Sequence, residues 1–182
     1  MSLQEYLEDL KARSTSIDLG EYDPRKLPLD RRSCGFMGEY VVLGAEPDDP
    51  IAREKSREVM VRFYEDLKKR PDNIQECIVY AESLAEHFYY EQAEVLFGYA
   101  LSTDSENPRV HHLLARNHIN WAQLCRRKRT IAHKHLTLAK ELGIRGLEIT
   151  ERNSQRLVED VLDAATNLED GDTVREYGKM LY

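Results

Sequence analysis

Arg109, His112, Arg116 and Asn120 recur at three- and four-residue steps, so on a helix their side chains share one stripe. Two guanidiniums, an imidazole and an amide make that stripe rich in donors, a chemistry suited to a carboxylate or a phosphate. A second concentration of charge is the run Arg126, Arg127, Lys128 and Arg129, followed by Lys134 between His133 and His135. With Trp121 upstream, this run offers phosphate contacts and a stacking ring to RNA; the commoner outcome for such a cluster is pairing with the chain's own acids. The six histidines are His87, His111, His112, His118, His133 and His135. His111 and His118 fall on one helical face, but there is no HExxH and no Glu stands three residues before any histidine, so packing or surface roles are expected and no metal.

Catalytic patterns are missing from the sequence. It holds no GxSxG, no GxxxxGK and no GxGxxG after a strand. Cys125 beside Arg126 and Arg127 is the one residue whose neighbours favour a thiolate, yet no spacing assigns it a base. The expectation is a protein that is not an enzyme, with no catalytic residue and no cofactor.

The elements that position these residues are helical. The chain has 182 residues, one domain's length, with 41% hydrophobic and 32% charged residues. Nine Gly and six Pro are few, which favours an all-α fold over a turn-rich β fold. Net charge is −7 at pH 7 and mean hydropathy −0.62, against a general nucleic-acid or anionic-membrane coat. No apolar run approaches the ~18 residues of a membrane span, and the first residues carry acids where a secretory signal would be basic and apolar, so the expectation is a cytoplasmic protein with no membrane partner. Cys34, Cys77 and Cys125 form no close pair, which points to reduced, mostly buried thiols.

Residues 2–13 place Leu3, Tyr6, Leu7 and Leu10 on a narrow apolar stripe, a short helix that must dock on something to persist. Residues 14–50 hold four of the six prolines and read as an irregular arm, with Glu39–Leu43 its one strand-like piece. Arg31-Arg32-Ser33 there has the look of a kinase site. Residues 1–48 are thus expected to be helix and arm, and 49–182 a helical domain. Within it, Asp49-Pro50 and Asn107-Pro108 read as cap-then-proline starts, and Asn73 to Glu76 and Thr173 to Glu176 as capping boxes. Gly143 reads as a helix stop.

Self-comparison gives a 34-residue period: Phe63 with Phe97, Val59 with Ala93, Tyr80 with Leu114, Ala81 with Ala115. The triplet Ala93, Phe97, Ala100 then returns as Ala132, Leu136, Ala139. These residues resemble the tetratricopeptide (TPR) repeat, in which a helix with a large-then-small pair packs on a second helix carrying A-x-x-x-F-x-x-A. Pro71 lies where the family's turn proline belongs; Asp66 and Leu136 depart from its pattern. The resemblance covers roughly residues 51–142, with units near 51–72, 73–106 and 107–142 and capping helices over 147–181. It implies an antiparallel helix-pair array, an α-solenoid, whose concave face is lined by the first helix of each unit.

On that resemblance, Arg109, His112, Arg116 and Asn120 look into the groove as polar anchors, with Tyr80 and Tyr89 as apolar contacts. The implied role is a protein–protein interaction scaffold or chaperone-like adaptor for a peptide or protein segment, one with an acidic or C-terminal carboxylate motif. In size, charge and layout the chain is also similar to type III secretion chaperones. The N-terminal arm, through Glu39–Leu43, could fill the groove of its own chain or of a homodimer partner. The alternative function is RNA binding through Trp121 and Arg126–Arg129.

Overall fold

Short polar residues set most of the helix starts. The computed structural model describes residues 2–27 and 50–181, and among them eight α-helices, two 3-10 turns and no strand. Ser2 and Glu5 close a capping box on α1 (Leu3–Ser14). Arg57 and Tyr80 meet a 3-10 turn at Leu19–Tyr22 and the bend after it, as described below. α2 spans Pro50–Lys69 and stops before Pro71. Asn73 caps α3 (Ile74–Glu86) through the Gln75 and Glu76 amides, while the Glu76 carboxylate pairs with Arg70 instead of turning back to close a box. α4 runs over Tyr90–Thr103, and Asn107 with Pro108 opens α5 (Pro108–Leu124). α6 is Arg129–Ile149, α7 Gln155–Asn167 behind a Ser154 cap, and α8 Gly171–Gly178. Asp170 is the cap of α8, accepting from the Thr173 amide and hydroxyl, so the expected box at Thr173 lies inside the helix. A 3-10 turn at Lys179–Leu181 ends the described chain. Each side-chain cap contributes about 1 kcal/mol.

The described residues divide into two units, Ser16–Leu96 and Met1–Thr15 with Phe97–Tyr182. In the first unit α2 packs on α3, burying Met60, Tyr64 and Leu67 with Cys77, Ile78, Tyr80, Ala81 and Leu84. The buried stripe of α2 is therefore Met60, Tyr64 and Leu67. Val59, at 40% exposure, and half-buried Phe63 lie beside it, so the 34-residue matches made with those two residues do not correspond to core positions. The arm's residues 16–27 lie on this unit. Arg57 donates to the carbonyls of Pro24 and Arg25 at 3.0 and 3.2 Å and of Leu27 at 3.4 Å, and Arg25 pairs with Glu65. Glu39–Leu43, Arg31-Arg32-Ser33 and Cys34 lie outside the described residues.

In the second unit α5 packs on α6, α6 and α5 on α7, and α7 on α8. Gly143 and Gly146 sit inside α6, which continues to Ile149 instead of stopping near residue 142. A Cβ at Gly143 would come 2.7 Å from Val161, and one at Gly146 2.7 Å from Leu157. The glycines are notches that let α7 approach, and that contact outweighs their roughly 1 kcal/mol helix penalty. Gly98 does the same for α1: a Cβ there would lie 2.4 Å from Leu10 and 2.6 Å from the Ser14 hydroxyl. The other repeat-pattern residues, Leu114, Ala115, Ala132, Leu136 and Ala139, are buried.

Candidate binding site

α5 carries the predicted donor stripe, and its partner is a neighbouring helix of the same unit. His112 Nδ1 meets Asp160 Oδ2 at 2.5 Å, and Arg116 lies 3.6 Å from Asp160 and 2.9 Å from Asp163, both on α7. Asp160 is only 1% exposed, and burial pushes its carboxyl up against the opposing pull of His112 and Arg116. The carboxylate that His112 and Arg116 meet is the chain's own. Arg109 is exposed at the start of the stripe and Asn120 half-buried at its end. Tyr80 is fully buried, its hydroxyl donating to the Tyr22 carbonyl, so it is a core residue and offers no contact surface to a partner. Tyr89 is half-buried in the turn after α3, where Phe88 takes a left-handed φ of 67° in place of the glycine such turns favour.

One face of α5 buries a polar chain. The Tyr6 hydroxyl lies 2.9 Å from His118 Nε2, and His118 Nδ1 lies 3.0 Å from His135 Nδ1. Trp121 stacks on His135 with ring centres 4.3 Å apart. A bond between two Nδ1 atoms needs one donor and one acceptor, so the pair holds at most one proton beyond the two neutral rings. Burial pushes His118 down to about 3 and His135 to about 4, with Lys134 adding repulsion at both. His111, also buried, donates from Nε2 to the Ser105 carbonyl at 3.1 Å, and burial lowers its pKa as well. Its Nδ1 has no hydrogen-bond partner among the described residues. No group of three or more His, Cys, Asp or Glu among the described residues is placed to hold a metal ion.

Beside α1 opens a cleft of about 510 Å³, within the size range of small-ligand sites. Leu7, Leu10 and Leu101 give it an apolar side; Lys11 and Arg145 bring cations, with Gln4, Glu8, Ser102, Ser105 and His111 around them. Among the described residues Arg145 pairs only with Glu148 of its own helix, at 3.0 Å, and Lys11 makes no ion pair. Sequence reasoning missed this site. The apolar stripe of α1 announced that the helix docks, but the convergence of Lys11 with Arg145 has no local spacing to reveal it.

The basic run forms the exposed turn between α5 and α6 and the start of α6. Arg126, Arg127, Lys128, Arg129 and Lys134 are all exposed, and none forms an ion pair among the described residues. Trp121, expected to stack on bases beside them, has its ring against His135. The described helices include none long and apolar enough to cross a membrane. No family model matches the chain, and neither a curated protein nor a solved structure does.

Proposed function

We propose that the chain is a non-enzymatic interaction module, a TPR-like array of helix pairs that holds an acidic peptide end of a protein partner. The observation that carries this reading is the cleft beside α1, where an apolar side and two cations from different helices, Lys11 and Arg145, converge in about 510 Å³. A terminal carboxylate would meet the cations by charge-assisted hydrogen bonds, and an aliphatic last residue would lie along Leu7 and Leu101. The buried repeat residues support the helix-pair arrangement. The stripe of Arg109, His112, Arg116 and Asn120 is the poorer anchor, because His112 and Arg116 already serve Asp160 and Asp163.

A displayed library of peptides with free C-terminal carboxylates, panned against the full chain, tests the proposal. Acidic C-termini should be enriched, and an enriched peptide should bind at least about ten-fold more weakly to the Lys11→Glu/Arg145→Glu variant, a loss of about 1.4 kcal/mol. No enrichment, or binding indifferent to the double reversal, would overturn it.

A further inference from the structure

The turn between α5 and α6 breaks several local rules at once. Four consecutive cations stand at the N-terminal end of a 21-residue helix, where the macrodipole disfavours positive charge, and Lys128 at the cap position makes no side-chain cap. Arg126, Arg127, Lys128 and Arg129 repel one another, and among the described residues none of them has an ionic partner. Leu124, at 49% exposure, and Ile131, at 41%, flank the run at the same end of the helix pair, and they are two of only four large hydrophobics so exposed among the described residues. None of this stabilises the fold. Local conflict without a folding benefit is the mark of a surface kept for binding.

The composition of the tip selects the partner. A nucleic acid would want a planar ring beside the cations, and the nearby Trp121 ring is stacked on His135. The exposed apolar groups here are aliphatic, one on either side of the basic run. Lysine and arginine at headgroup depth with aliphatic side chains dipping below them is the pattern of interfacial membrane attachment. We propose that this tip docks on an anionic lipid surface, with Arg126, Arg127, Lys128, Arg129 and Lys134 against the headgroups and Leu124 and Ile131 at the acyl boundary. Such docking needs no spanning helix, so it reverses the expectation of no membrane partner while leaving the absence of a spanning helix among the described residues untouched. The chain's net negative charge opposes it only within about 10 Å of the surface, because salt screens the remainder. The proposal is independent of the peptide cleft.

Sedimentation of the full chain with extruded phosphatidylserine–phosphatidylcholine vesicles tests it. Binding should appear with the mixed vesicles, be absent with pure phosphatidylcholine, and fall with added salt. Each cation contributes about a five-fold factor near such a surface, so Arg126→Ala/Arg127→Ala/Arg129→Ala should weaken binding by about 100-fold. Leu124→Asn/Ile131→Asn should weaken the binding that survives at high salt; all five positions are exposed, and circular dichroism checks that the variants stay folded. No sedimentation with the mixed vesicles, or sedimentation unchanged in the arginine variant, would overturn the proposal. So would capture of a labelled poly-U oligonucleotide that depends on the same arginines while vesicles are ignored, which would give the tip to nucleic acid.

Discussion

Acidification from about pH 7 to about pH 5 should remove about 4 kcal/mol of stability through His118 and His135 alone. Both rings are buried and held well below the ordinary imidazole value of 6.5, at about 3 and about 4. The unfolded chain therefore binds more protons than the folded one between those limits, and stability rises with pH across the window. The contribution is complete above 6.5 and drains away as pH falls toward the folded-state values. At about pH 5 an unfolded imidazole is almost fully protonated while the buried rings stay neutral, a gap of about 1.5 pH units, or about 2 kcal/mol for each ring. That is a large share of the roughly 5–15 kcal/mol that typical domains possess. Arg13 and Lys134 add repulsion to a charged His118, and the shared Nδ1–Nδ1 bond prevents both rings from being protonated together. Urea melts followed by circular dichroism at several pH values, for the wild type and for His118→Gln/His135→Gln, give the assay. The quantity read is the change with pH within each protein, so a weaker variant still reports as long as it folds at neutral pH. The wild type should lose about 4 kcal/mol more than the variant, and NMR should show both ring signals untitrated at about pH 5. Equal pH slopes in the two proteins, or rings that titrate near 6.5, would refute the burial argument.

Gly98→Ala places a methyl where Leu10 Cγ and the Ser14 hydroxyl already stand, and should cost about 1–3 kcal/mol despite alanine's better helix propensity; a neutral or stabilising result in urea melts would show that α1 gives way freely. Asp160→Ala removes the buried carboxylate beside His112 and Arg116 and should cost about 2 kcal/mol, because His112 loses its acceptor and Arg116 one of its two ion-pair partners; a change below about 0.5 kcal/mol would mean that solvent already satisfies His112.

What could be read from the chain was what local chemistry decides. Asn73, Asn107 and Pro108 set helix starts whatever lies nearby, since a cap competes only with the backbone beside it. The donor stripe was legible for the same reason: three- and four-residue spacing keeps His112 and Arg116 on one face of α5, and both reach the same carboxylate. Which carboxylate they meet was not legible, because Asp160 arrives from α7, and nothing in residues 109–120 encodes that neighbour. Gly143 was misread on the same ground. Propensity alone makes it a helix stop, whereas Val161 at 2.7 Å makes it, with Gly146 against Leu157, a seam. The buried stripe of α2 lies one residue from the matched pair, on Met60 and Tyr64 beside Val59 and Phe63, because a helix face is wide enough for either register until α3 is laid against it. The same division bears on function. The basic turn was visible as a run of like charge, but its meaning depended on two long-range facts: no acid among the described residues reaches those cations, and the tryptophan that could have read bases beside them is stacked on His135. Sequence spacing supplies the groups on a face; only the tertiary neighbours decide whether those groups are already satisfied, and an interaction surface consists of the ones that are not.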